Sequence, residues 1–409
     1  MYITISFIIF FIIKLVFEVY LDLRNLKHIS LNSNSLPEQF INSVTSEEHL
    51  KAANYNIDKI TTSFCFLPLD ILILILWLFG GGIFLLDYYV SSFNFGEILT
   101  GNIYFAIFFV LASLLALPSS IYSTFVIEEK YGFNKTTKKL FFVDLLKGLG
   151  LALILGLPLL SVILFLMELM GNIWWFIAFI AFSAFQIFIM FIYPTIIAPI
   201  FNKFTPLEDG DLKEKIKELC KKCNFEFKDV FKMDASRRSS HGNAYFTSFG
   251  KNKRIVLFDT ILNTLSDNEI IAILAHEIGH YKCKHIYKNL AEFLIISFIG
   301  FYLLGFVYPI EEFYYAFNVY EPSSYIAIML FIIVVPIYTF LFTPLASWLS
   351  RRDEYEADRF AKKHANAQDL ISSLITLYKD NASFLTSDPL YSKFYHSHPN
   401  IIDRIEGLK

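Results

Sequence analysis

Cysteine is scarce, neither sign of charge is in excess, and polar surface is in short supply. Only Cys65, Cys220, Cys223 and Cys283 occur in 409 residues. Cys220-Lys221-Lys222-Cys223 has metal-type spacing but lacks the second pair that would complete a site, so the four scattered cysteines read as free thiols. A formal net charge of −3 gives no reason to expect nucleic acid as a partner. With 55% hydrophobic and 18% aromatic residues and a mean hydropathy of +0.49, the chain is too apolar for an ordinary soluble globule. It reads as a membrane protein.

Apolar runs lie near residues 3–20, 64–87, 103–126, 148–168, 173–200, 290–308 and 324–349, and a hydrocarbon core needs about 20 residues. The first run contains Lys14 and Glu18 and has no small-residue cleavage site after it, so it is expected as a retained span and not as a signal peptide. That makes seven spans, with a polar segment over 21–61 between the first two. Lysine and arginine are missing from 88–102, 169–172 and 309–323 and plentiful in 21–61, 127–147, 203–288 and 351–409. The positive-inside rule then predicts a lumenal amino terminus and a cytosolic carboxyl terminus.

His276-Glu277-Ile278-Gly279-His280 is an H-E-x-x-H stretch. Two imidazoles four residues apart share one face of a helix and can grip a single zinc ion, while the glutamate between them can take a proton from water activated there. Ser266-Asp267-Asn268-Glu269 reads as the capping box that starts this helix, with Ile270, Ile271, Ile273 and Leu274 as its apolar body. A third protein ligand is needed. Arg351-Arg352-Asp353-Glu354-Tyr355-Glu356-Ala357-Asp358 offers Glu354 and Asp358 on one helical face, so that one can bind metal while the other orients a histidine. His285, five residues past His280, falls roughly 140° further round on a 3.6-residue period and should not reach the same ion. His28, His49 and His364 are expected to be structural or exposed.

Ala244–Phe249 and Arg254–Phe258 are rich in β-formers and flank Gly250-Lys251-Asn252-Lys253, which predicts a hairpin. A substrate peptide can add as a strand to such an edge, and Asn243, Ala244 and Tyr245 are the candidates for holding its backbone. His396 and His398 sit in a loop flanked by serine and proline ahead of a short amphipathic helix.

His276-Glu277-x-x-His280 followed by Glu354-Tyr355-x-Ala357-Asp358 resembles the integral-membrane zinc CAAX prenyl proteases, of the a-factor-converting and prelamin-A-processing type. Further strings agree in order along the chain: Glu128–Asn134, Arg238–Phe246, Lys251–Thr260 and His396-Ser397-His398-Pro399. The resemblance implies an α-helical polytopic membrane protein of seven transmembrane helices, carrying a cytosolic zincin-like (gluzincin) α+β protease part and enclosing a large intramembrane chamber. It divides the chain into five spans with their loops (1–200), a protease part with edge hairpin and motif helix (201–288), spans six and seven (289–349), and a cytosolic part with the third ligand and a terminal helix (350–409). It implies one Zn²⁺ held by His276, His280 and Glu354, Glu277 as base, and Asp358 behind a ligand. His398 is implied as donor to the oxyanion, with Arg404 a weaker candidate for the same region. The implied reaction is removal of the last three residues of prenylated Cys-a-a-X proteins at the endoplasmic reticulum membrane, with a second upstream cleavage as an open extension.

A broader quality-control protease clearing membrane or translocon-jammed proteins would use the same zinc and base. An intramembrane site-two-type protease fits less well, because there the motif lies inside an apolar span and here Asp267, Glu269, Lys282 and Lys284 flank it. A non-enzymatic receptor or transporter has no use for Glu277 between two histidines. No feature of the sequence sets an oligomeric state.

Overall fold

The computed structural model describes residues 1–247 and 253–409; Ser248–Asn252, most of the expected hairpin tip, lie outside the described residues. Among the described residues, seven helices are long and apolar enough to cross a membrane: Tyr2–Asn32, Ser46–Leu78, Glu97–Glu128, Lys138–Leu169, Gly171–Phe201, His285–Val307 and Ser324–His364. At 1.5 Å per residue a hydrocarbon core of ~30 Å takes about 20 residues. The sixth span has 23 residues, but the other six, of 31 to 41 residues, run on past it, and this is where the structure departs from the hydropathy boundaries.

Three departures matter. The polar segment 21–61 is mostly helix: the first span continues to Asn32, and the second starts at Ser46 behind a capping box made by Thr45 and Glu48. Hydrophobicity marks only the portion in lipid, whereas the helix propagates until a cap stops it. The run near 64–87 is not one span, because Gly80-Gly81-Gly82 interrupts it. Gly81 takes a left-handed φ of 82°, which costs a glycine nothing, and Gly82–Ser91 follows as a separate short helix. The seventh span does not end near 349 but continues through a tight turn at Phe340–Phe342 to His364, carrying its polar extension toward the protease part.

That seventh span is the axis of the bundle. Ser324 through Leu330 are all buried, packed among the first, third, fourth and sixth spans. Beyond the spans, four strands form one sheet among the described residues, in the order β1-β2-β4-β3: β1 Phe204–Pro206, β2 Asp229–Met233, β3 Ala244–Thr247 and β4 Arg254–Phe258. The β2–β4 pair is parallel; β3 runs antiparallel to β4, with Ala244 opposite Leu257 and Thr247 opposite Arg254. This leaves β3 at the sheet edge. Besides a short helix at Asp259–Thr264, five helices among the described residues cover this part: α1 Asp211–Lys222, α2 Asp267–Lys282, α3 Ala367–Asp380, α4 Pro389–Tyr395 and α5 Ile401–Leu408. Ile216, Ile255, Leu274, Ile278, Leu370 and Ile401 meet in its core.

Two loops join this part to the spans. The backbone N–H of Ser240 donates to the Phe133 carbonyl at 3.2 Å, and that of Lys135 to the Arg238 carbonyl at 3.1 Å. Arg238 donates to both oxygens of Asp144 at 2.8 and 3.1 Å. The strings Glu128–Asn134 and Arg238–Phe246 are thus joined in one clasp, just ahead of β3.

Candidate active site

Helix α2 begins as its capping box predicts: the Ser266 side chain accepts from the Glu269 N–H at 3.4 Å, while the Glu269 carboxylate accepts from the Ser266 N–H at 2.8 Å. One helical turn then brings His276 Nε2 to 3.1 Å from His280 Nε2. The third group arrives by helix packing. A Cβ on Gly279 would lie 3.0 Å from the backbone of Ala357, so the absence of a side chain lets α2 and the seventh-span extension touch. Glu354, one turn before Ala357, then faces the two imidazoles, with its Oε2 3.4 Å from His276 Nε2 and its Oε1 3.4 Å from His280 Nε2.

These spacings fit a metal. A tetrahedron with arms of 2.0–2.1 Å has edges of about 3.3 to 3.4 Å, close to the three separations above. Glu354 Oε2 is also buried, and no hydrogen bond from the described residues reaches it, although His398 Nδ1 lies 3.1 Å away. A buried carboxylate oxygen without a hydrogen bond, with the Arg404 guanidinium no nearer than 3.7 Å and two converging imidazole lone pairs beside it, suits a cation. The electrostatics agree. Burial works against a charged His276, yet the carboxylates of Asp358 and Glu354 outweigh it and raise the imidazole to about 9.

Asp358 stands behind the first histidine, its Oδ1 2.8 Å from His276 Nδ1. Arg404, buried, donates from Nε to Asp358 Oδ2 at 2.8 Å and from Nη2 to Oδ1 at 2.6 Å. Its Nε and Nη2 thus brace the cage from behind, while Arg404 also lines the cavity at the site, with Nη1 3.7 Å from Glu354 Oε2. Glu277 faces a cavity of about 170 Å³ shared with His276, Glu354, His398, Asn243 and Ala244. Burial pushes its carboxyl up, against the pull of the His276 and His280 imidazoles. His398 is 65% exposed at the mouth of the site.

Tyr245 shares the edge strand with Ala244, but its side chain is directed elsewhere. Strand alternation turns its ring to the opposite face of the sheet, half-buried against Met233, Ala235 and Val256, which leaves its backbone as the part a substrate strand would meet. Sequence reasoning missed the apolar wall opposite the imidazoles, where Leu370, Leu374 and Leu377 of α3 meet Ile261 and Ile273. Its signal was the i, i+4, i+7 spacing of the leucines, which reads as any amphipathic helix. The angular argument about His285 also assumed a continuous helix. The helix ends at Lys282, and His285 opens the sixth span, with its Nδ1 2.9 Å from His280 Nδ1, on the side away from the cage. His28 lies 3.2 Å from Thr386 Oγ1, His49 is 3.0 Å from the Asn32 carbonyl, and His364 is 2.9 Å from the Phe360 carbonyl.

Comparison with known proteins agrees with this architecture. Residues 25–203 match the family model for the CAAX prenyl protease N-terminal region, five membrane helices, and residues 206–409 match peptidase family M48. A CAAX prenyl protease 1 homolog of Arabidopsis thaliana is 35% identical over 411 residues, spanning 98% of this chain and 96% of that protein. The CAAX prenyl protease 1 of Saccharomyces cerevisiae is 39% identical over 316 residues, spanning 73% and 69%. The crystal structure of S. mikatae Ste24p aligns with a TM-score of 0.91 at 33% identity, covering 99% of this chain and 98% of that one. With both halves matched and the fold shared from end to end, the chain belongs to peptidase family M48, as a metallopeptidase of its multi-span CAAX prenyl protease branch.

Proposed function

We propose that this protein is a zinc metalloendopeptidase that removes the last three residues of prenylated Cys-a-a-X proteins at the endoplasmic reticulum membrane, its site open to the cytosol. The observation that carries the reading is the set of His276, His280 and Glu354 atoms at tetrahedral edge spacing, in a chain whose full-length relatives are named CAAX prenyl proteases. His276, His280 and Glu354 would hold the ion; bound there, zinc supplies Lewis acidity toward a carbonyl oxygen and toward water.

The chain's own residues do the rest. Glu277 takes the proton of the attacking water and passes it to the leaving amine nitrogen. His398 donates a hydrogen bond to the oxyanion on the substrate carbon. Asn243 and Ala244, at the start of edge strand β3, hold the peptide extended, and the Leu370, Leu374 and Leu377 wall receives its aliphatic side chains. A prenyl chain gains ~0.8 kcal/mol for each CH₂ it buries, which favours a site at the end of a membrane bundle.

The test is mass spectrometry of products from a farnesylated Cys-a-a-X peptide incubated with the purified protein. Release of the intact tripeptide is expected. Equal cleavage of the unprenylated peptide at scattered bonds would replace this reading with that of a broader membrane quality-control protease.

A further inference from the structure

The two histidines of the cage are braced differently. Behind His276 stands a carboxylate, Asp358; behind His280 stands a third imidazole, His285, with the two Nδ1 atoms 2.9 Å apart. His285 is 2% exposed. It reaches the seventh-span extension, where its Nε2 lies 3.3 Å from Glu356 Oε2 and 3.5 Å from Asp353 Oδ1. Lys284, at a left-handed φ of 61°, turns the chain between α2 and the sixth span and folds His285 back against His280.

Two ring nitrogens at 2.9 Å need one proton between them. A neutral histidine whose Nε2 lone pair faces a metal carries its proton on Nδ1. The His280 Nδ1–H is therefore the donor and His285 Nδ1 the acceptor, which leaves the His285 proton on Nε2, where Glu356 accepts it with the Asp353 carboxylate 3.5 Å away. Every donor along this path finds an acceptor. Lys288 Nζ, 2.9 Å from Asp353 and 3.4 Å from Glu356, and Arg352 Nε, 3.4 Å from Glu356, hold the two carboxylates in place.

Resting on the metallopeptidase reading, we propose that His285 is a positioning residue. It sets the tautomer and ring plane of His280 through a relay that ends on Glu356, and so ties the metal cage to the sixth and seventh spans at once. The competing arrangement is a second cage of Cys283, His285 and Glu356, whose ligand atoms lie within 4.8 Å of one another. The relay disfavours it, because both His285 nitrogens are engaged and the Lys288 ammonium already occupies the cation position beside Glu356.

The experiment compares full-length wild type, His285→Leu and His285→Gln, purified in detergent, stripped of metal, and titrated with Zn²⁺ against a chelator; the Co²⁺-loaded forms are compared by visible absorption. His285→Leu is expected to lose about 10- to 100-fold in zinc affinity, the range for removing the orienting partner of a ligand, with an altered Co²⁺ spectrum and a fall in kcat larger than the change in KM. His285→Gln should recover most of the affinity, since its carbonyl accepts from His280 and its amide donates to Glu356. Should His285→Leu fail to fold, Glu356→Ala read in the same titration should show a smaller loss in the same direction. Equal affinities and Co²⁺ spectra in the wild type and all folded variants would overturn the relay, as would two bound metals per wild-type chain falling to one in His285→Leu. A wild type that binds no zinc would overturn the metallopeptidase reading itself, a failure visible before any substitution is made.

Discussion

Glu277 and Arg404 both sit at the cavity, and their surroundings give them opposite tasks. Glu277 makes no ion pair among the described residues, and burial raises its carboxyl, which suits a group that must gain and lose a proton each cycle. Glu277→Gln should keep fold and metal yet lower turnover by about 10² or more, the scale of a lost general base; unchanged single-turnover rates would place the base elsewhere. Arg404 holds its charge: burial opposes it, but the paired Asp358 carboxylate raises its pKa. Arg404→Leu strands a buried Asp358, and breaking such a pair costs about 3–5 kcal/mol. A marked drop in melting temperature is expected, partly restored in an Arg404→Leu/Asp358→Leu double variant. Zinc affinity should stay low in the double variant, because His276 has then lost its acceptor.

At the scale of elements, the site is a contact between two helices. Gly279 sets their separation. Replacing glycine by alanine in a helix interior normally stabilises by about 0.5–1 kcal/mol, and Gly300, with nothing within 4 Å of a Cβ, should behave so. At Gly279 the new methyl would meet Ala357 backbone atoms at 3.0 Å, so the helices must part, at a cost of about 1–3 kcal/mol for overpacking. Thermal melting in detergent should therefore move in opposite directions for Gly300→Ala and Gly279→Ala. Only the second should weaken metal binding, since parting the helices draws Glu354 from the imidazoles; equal shifts would mean that this contact does not set the site.

Across the whole molecule, the segments without lysine or arginine gather at one end. Thr4 Oγ1 donates to the Ala316 carbonyl, Asn318 Nδ2 to the Phe79 carbonyl, and the Ser324 N–H to Glu97 Oε1. The motif helix and the Glu354 helix meet at the other end, among the lysine-rich segments. The positive-inside rule supports the proposed cytosolic placement of the site, in the compartment where the proposed prenylated substrates arise. A glycosylation acceptor inserted near Ser92 should be modified, and a tag after Lys409 should be cut by protease added to intact microsomes. A protected carboxyl-terminal tag would remove the route from cytosolic substrate to site.

Short-range patterns made much of this legible in sequence. Apolar runs, the Ser266 capping box and the shared face of His276 and His280 each depend on residues a few positions apart, where local composition and backbone geometry settle the outcome. Packing between elements decided the rest. Glu354 and Asp358 are equivalent by spacing, and only the approach of two helices through Gly279 sends one to the cage and the other behind His276. The pleat turns the Tyr245 ring away from the cavity, and the leucines of α3 joined the site because α3 lies across α2. His285, five residues from His280, defied the helical period because Lys284 breaks the helix and turns the chain back. The seventh span's continuation to His364 is invisible to hydropathy, which reports the solvent around a helix and not the hydrogen bonds that carry it onward.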